Sequence, residues 1–232
     1  MISVIIPAAG QGKRFGAGKN KAFVLLAGKT ILERTVEAFS DIPEVGETII
    51  VVAPDEVDDI TAQARLYPKA ETIKVVAGGT ERQYSIQNAL EKVDTGADIV
   101  LVHDGARPLV SREVILRVIE EVKKNSAAIV AVPVKDTIKV VDADGFVSAT
   151  PKRSELWAIQ TPQGFTRELI MRAYQKASDE KFLGTDDASL IERLGIPVKI
   201  VPGEYENIKI TTPEDLPIAN MFLKGRRGTE EL

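Results

Sequence analysis

The chain has 232 residues, a net charge of −4, 44% hydrophobic and 28% charged residues, no cysteine and a single histidine, His103. That length suits one large domain with a sizeable core, and the mild acidity argues against a nucleic-acid partner, which calls for a basic field. Without cysteine there is no disulfide, thiolate nucleophile or cysteine metal site, and one histidine excludes a multi-histidine site.

The first strand-like run is Ile2–Ile6. It follows Met1 directly, with no signal or transit peptide in view. No apolar stretch approaches the ~20 residues that span a bilayer. The expectation is a cytoplasmic chain with no membrane partner. Further strand-like runs are Thr48–Ala53, Thr72–Ala77, Asp98–His103 and Ala127–Pro133. Between the last two, Ser111–Lys124 carries Val114, Ile115, Val118, Ile119 and Val122 at helical spacing, with Ser111 as N-cap. Thr80-Glu-Arg-Gln83 has the form of a capping box, and Thr212-Pro213-Glu214 places proline at a first helical position. Strands that are apolar on both faces and spaced by helices imply a mostly parallel sheet covered on both sides. The fold class is therefore α/β, Rossmann-like and doubly wound, with ligands beyond the carboxyl ends of the strands.

Residues 134–156 break the alternation. Two β-rich runs flank Asp144-Gly145, a hairpin turn signal, so this segment is an arm inserted into one domain spanning 1–224. It is read either as a surface hairpin or as a dimerisation arm. The charged tail, 225–232, is expected to fray.

Two stretches carry the chemistry. In IPAAGQGKRFGAGKNK (6–21), Lys13, Arg14, Lys19 and Lys21 sit on a glycine-rich loop without a carboxylate. Glycine lets backbone N–H groups approach a phosphate, and the cations add charge there. The alternative is a solvated basic turn. The loop fails the G-x-G-x-x-G pattern at Phe15. It also fails the P-loop pattern, because Lys13 holds the first glycine position and Asn20 follows Gly18-Lys19. In VLVHDGARP (100–108), Asp104 lies at the end of a buried strand, where a carboxylate suits Mg²⁺ shared with substrate phosphates. The alternative is a turn-forming Asp-Gly step. Arg107 is a phosphate ligand or a partner of a carboxylate, and His103 reads as a packed, hydrogen-bonded residue.

The motifs PAAGQGKRFG with Lys21, GGTERQYSI (78–86), VHDGARP (102–108), VPVKDTIK (132–139), QTPQGF (160–165), TDDAS (185–189) and NIKIT (207–211) occur together in this order. In this the chain resembles the 2-C-methyl-D-erythritol 4-phosphate cytidylyltransferase family, from Ile2 to about Met221. The resemblance implies transfer of the cytidylyl group of CTP to the polyol phosphate, with release of pyrophosphate. It implies Arg14 and Lys21 as catalytic residues, although this chain has Asn20-Lys21 where the family often has Pro-Lys, so a share for Lys19 stays open. It implies CTP contacts at Pro7, Ala8, Ala9, Gly10, Gly12, Gly79, Thr80, Arg82, Ser85, Asp104 and Gly105. Mg²⁺ would lie at Asp104, with Glu206 the weaker metal candidate. The polyol phosphate would be held by Arg107, Thr137, Arg153, Thr161, Thr185 and Lys209. Thr137 and Arg153 would come from the neighbouring subunit of a homodimer built through the arm. The alternatives are a ribitol 5-phosphate cytidylyltransferase, which shares these motifs, and a non-catalytic nucleotide-binding regulator of the same fold.

Overall fold

The computed structural model describes residues 1–10 and 21–230, with the side chains of residue 21 and of 227–230 outside the description. The first strand, β1 (Ile2–Pro7), is buried almost throughout and sits near the middle of a seven-stranded sheet. A small ribbon of β2 (Leu25–Leu26) and β3 (Lys29–Thr30) leads into helix α1 (Ile31–Ser40), where the Thr30 hydroxyl accepts from the Glu33 amide as N-cap. There follow β4 (Val45–Val52), α2 (Val57–Ala64), β5 (Ile73–Ala77), α3 (Arg82–Leu90), β6 (Ile99–Val102), α4 (Arg112–Asn125) and β7 (Ala127–Pro133). The arm carries β8 (Val140–Val141) and β9 (Val147–Ala149). The chain then returns through β10 (Trp157–Thr166), α5 (Arg167–Asp179), α6 (Asp187–Glu192), β11 (Lys199–Pro202) and α7 (Asp215–Glu230).

The sheet order is β11-β7-β10-β6-β1-β4-β5, and every pairing is parallel except those of β10. From β1 the chain winds outward through β4 and β5, then crosses back to β6 on the other side of β1. Carboxyl-end loops diverge at such a reversal and leave a crevice there. Both faces are covered, as the two-faced apolar strands require. Ile2, Val4 and Ile6 of β1 pack with α1, α2 and α4. Ile5 lies on the opposite face, with α3, α5 and α6. The doubly wound α/β class expected from the sequence is the observed one.

Ser111 caps α4 as expected, accepting from the Val114 amide, and all five stripe residues of that helix are buried. Two local expectations are corrected. Helix α3 begins at Arg82, with Glu81 at the cap position and no side-chain cap. Thr80 does not close a capping box, because the Gln83 side chain, which would reach back to the Thr80 amide, is instead bound to Phe182 O and the Gly184 amide. Helix α7 starts at Asp215, two residues beyond Pro213. Asp215 folds back to accept from the Thr211 and Thr212 amides, so the proline sits in the turn before the helix. The helix then runs through Glu230, and residues 231–232 of the tail lie outside the described residues. The arm is a hairpin, but a short one. The Asp142 carboxylate accepts from the Asp144 and Phe146 amides, and Gly145 takes a positive φ of 88°.

Candidate functional site

A cavity of about 210 Å³ opens at the carboxyl ends of β1, β5 and β6. Three loops meet there at backbone distance. The Ala8 amide donates to Val51 O (2.7 Å), the Gly78 amide to Val52 O (2.7 Å) and the Gly105 amide to Pro7 O (3.2 Å). A Cβ on Gly78 would lie 2.8 Å from both Ala9 Cβ and Ser85 Oγ. Only glycine lets the β5 loop come this close to the β1 loop. Ser85 Oγ accepts from the Gly79 amide (3.0 Å) and donates to Glu81 O (3.0 Å), which fixes the turn into α3. Pro7, Ala8, Ala9, Gly10, Gly79, Thr80, Arg82, Ser85, Asp104, Gly105 and Lys209 all line this cavity. In the sequence they are spread over four motifs. Gly12 and Arg14 lie outside the described residues, as does the side chain of Lys21.

Asp104 is the electrostatic centre. Its carboxylate faces Lys209 Nζ at 2.9 Å, Arg107 Nε at 3.5 Å and Arg82 Nε at 3.6 Å. Burial pushes its pKa up, but Lys209, Arg82 and Arg107 outweigh burial and hold it well below the usual carboxylate range. The Asp104 amide donates to Thr161 Oγ1 (3.0 Å), which lies 3.1 Å from His103 Nδ1, while His103 Nε2 lies 3.0 Å from Arg107 O. A carbonyl can only accept, so Nε2 carries the proton. Nδ1 then accepts from the threonine hydroxyl. His103 is fully buried against Phe39, and burial pushes its pKa down to about 4, with the bond to Arg107 O opposing. It is the packed residue the sequence suggested.

Thr161 reaches Asp104 because β10 shifts register against β7 between Ile159 and Gln163. Thr161 is 4% exposed, and its hydroxyl is committed to the Asp104 amide and His103. Lys209 reaches the site because its segment is tied to the β6 loop. Arg107 donates to Asn207 O (2.7 Å), Asn207 Nδ2 to Thr161 O (2.9 Å) and the Ile210 amide to Ala106 O (2.8 Å). The fold thus joins Asp104, Arg82, Arg107, Thr161 and Lys209.

Thr185 stands exposed on the loop before α6. Thr137 and Arg153 remain on the arm, where Arg153 donates to Lys135 O (3.0 Å). Glu206 pairs with Arg226 (3.2 Å) in a separate depression beside Glu204 and does not line the cavity. Two residues that sequence reasoning passed over belong to the site's support. The fully buried Asp187 accepts from Arg82 NH2 (2.7 Å) and from Tyr174 OH (2.5 Å). Asp187 lies inside the TDDAS motif, which was the available signal.

Residues 2–225 match the family model described as IspD, 2-C-methyl-D-erythritol 4-phosphate cytidylyltransferase. The chain belongs to this family. Curated relatives with that name include one from Caldanaerobacter subterraneus subsp. tengcongensis, 48% identical over 96% of this chain and 99% of that protein. Another, from Alkaliphilus metalliredigens, is 47% identical over 99% and 96%. Among solved structures, 4-diphosphocytidyl-2C-methyl-D-erythritol synthase from Anaerococcus prevotii superposes with a TM-score of 0.86 at 39% identity, covering 96% of both chains. The fold of the IspD family is therefore the fold described above, and the seven motifs that suggested the resemblance fall within the matched span. No described helix is long and apolar enough to cross a membrane.

Proposed function

We propose that this chain transfers the cytidylyl group of CTP to 2-C-methyl-D-erythritol 4-phosphate, giving 4-diphosphocytidyl-2-C-methyl-D-erythritol and pyrophosphate. The observation that carries the reading is that family membership over residues 2–225 coincides with a cavity whose lining is made of the family-like motifs. A phosphate oxygen of the polyol attacks the α-phosphorus of CTP. The new P–O bond forms as the bond from the α-phosphorus to the bridging oxygen breaks, and pyrophosphate leaves. The nucleophile is already anionic near neutral pH, so the protein supplies positioning and charge rather than a base.

In this reading the loops at Ala8–Gly10 and Gly79–Ser85 hold the nucleotide, with base selection by backbone groups. Arg82, Arg14 and Lys21 face the phosphates. Arg107, Lys209 and Thr185 serve the polyol phosphate, while Thr161 acts one step back by holding the Asp104 backbone. A metal fits at Asp104: its carboxylate is ionised and lines the cavity, and Mg²⁺ needs only one or two protein oxygens beside phosphate. No group of three or more acids or histidines able to hold a metal occurs among the described residues, which favours a site shared with substrate. Mg²⁺ bound there would offset charge on the phosphates.

Residues 1–224 form one nucleotidyltransferase domain that works in the cytoplasm, and the arm makes it a homodimer. The arm presents Val141, Phe146 and Val147 at 56%, 72% and 58% exposure, more apolar surface than a lone hairpin can stabilise in water.

The test is pyrophosphate release from CTP and Mg²⁺ with 2-C-methyl-D-erythritol 4-phosphate or ribitol 5-phosphate in parallel. Turnover of the first is expected, lowered more than ~10²-fold by Arg14→Ala or Lys21→Ala. Preference for ribitol 5-phosphate would reassign the substrate, and no release with either would leave a nucleotide-binding regulator.

A further inference from the structure

Arg82 is held asymmetrically. One nitrogen of its guanidinium is bound deep in the protein, where NH2 donates to Asp187 Oδ2 at 2.7 Å. Arg82 also lines the cavity, where its Nε lies 3.6 Å from Asp104 Oδ1, too far for a hydrogen bond. Asp187 is fully buried and does not line the cavity. Its second oxygen is taken by the Tyr174 hydroxyl at 2.5 Å, from helix α5. The helix that carries Asp187 is fixed in turn. Gln163 of β10 binds the Asp186 carboxylate (2.8 Å) and accepts from the Ala188 amide (3.0 Å). Gln83, next to Arg82, clamps the approaching loop by donating to Phe182 O and accepting from the Gly184 amide, both at 2.9 Å.

An arginine beside a carboxylate closes on it with two parallel hydrogen bonds at about 2.7–2.9 Å when nothing prevents it. Here a second, better-desolvated carboxylate competes for the same guanidinium and holds it back. A buried ion pair adds little net stability over well-packed apolar residues. What this one adds is direction. We propose that Asp187, braced by Tyr174, is a positioning residue that holds the Arg82 guanidinium at the cavity for the nucleotide phosphates and prevents its collapse onto Asp104. This rests on the reading of the cavity as the CTP site.

The test compares steady-state kinetics of Arg82→Ala, Asp187→Asn and the double variant with those of the parent enzyme, together with Tyr174→Phe. Asp187→Asn is expected to raise KM for CTP about tenfold, the scale of one lost charge-assisted hydrogen bond, and to leave KM for the polyol phosphate within about twofold of the parent. In the Arg82→Ala background the same substitution should add nothing, because it acts only through Arg82. Tyr174→Phe, which keeps the buried volume, should shift KM for CTP in the same direction by less, and it carries the test if Asp187→Asn does not fold.

An unchanged KM for CTP in Asp187→Asn, or in Tyr174→Phe when that variant carries the test, would overturn the proposal. So would additive effects in the double variant. If Arg82→Ala itself leaves KM for CTP unchanged, Arg82 is no nucleotide ligand, and the positioning role falls with that assignment. A rise in Arg82→Ala without one in Asp187→Asn removes the positioning role alone.

Discussion

His103 shows how much one side chain can settle. Both ring nitrogens are engaged in a buried site, and the chain Arg107 O, His103, Thr161, Asp104 amide has one consistent direction of donation. The neutral ring is therefore part of the fold. Burial lowers its pKa from 6.5 to about 4. The unfolded chain thus takes up a proton below pH 6.5 that the folded chain refuses until about pH 4. Stability from this group is fully present above pH 6.5 and is lost as pH falls toward 4. By pH 5 the loss is about 2 kcal/mol. Urea titrations at pH 7 and pH 5 should show that increment in the parent and lack it in His103→Gln. An equal pH dependence in the two proteins would count against a buried neutral imidazole. Asp104 takes its place from this same chain, so the residue that centres the site is oriented by a histidine and a threonine turned away from the cavity.

Strand β10 is the element that sequence patterns conceal. Trp157–Thr166 contains Pro162, Gly164 and three buried polar residues, Gln160, Thr161 and Gln163, a composition that argues against a strand. Pairing on both sides overrides that preference. The register shift after Ile159 frees Thr161 for Asp104 and Gln163 for α6. Gly164 is required for a different reason. A Cβ there would lie 2.7 Å from Val122 Cγ2 and 2.9 Å from both Leu101 Cδ2 and Val118 Cγ1, so α4 could not lie as close to the sheet. Gly164→Ala should lower unfolding free energy by roughly 1–3 kcal/mol, the usual cost of overpacking, read as a fall in the urea midpoint with an unchanged slope. A midpoint equal to that of the parent would show that the helix has slack. The helical stripe of α4 itself was legible in sequence, because a period of 3.6 survives in any packed environment.

At the scale of the whole molecule the open question is whether one chain completes its own site. Within a single chain, Thr137 and Arg153 stand on the arm rather than at the cavity, and Arg153 binds a backbone carbonyl of the arm. In the proposed homodimer, exchanged arms deliver both residues to the partner's polyol phosphate. Mixing Arg14→Ala with Arg153→Ala, each inactive alone, then creates heterodimers with one doubly damaged and one intact site. Up to about half the parent activity per heterodimer should return after subunit exchange. No recovery, or a monomer at working concentration by light scattering, would place the arm with its own chain.

The sequence by itself determined what depends on neighbours along the chain. Strands apolar on both faces required a covered parallel sheet. The Ser111 cap and the α4 stripe required that helix, and Asp104 at the end of an apolar strand had to emerge on the ligand edge of the sheet. The motifs in their order determined the family. Only the tertiary structure decided what depends on residues distant in the chain. It gave Asp104 three cations from three segments and tied the Lys209 segment to the β6 loop through Asn207. It also set Asp187, 105 residues from Arg82, at hydrogen-bond distance from it. A carboxylate, an arginine or a threonine looks the same in a sequence whether it faces solvent, a ligand or another charge. Which of these it meets is fixed by the order in which strands assemble, and that order is set by the packing of two apolar faces.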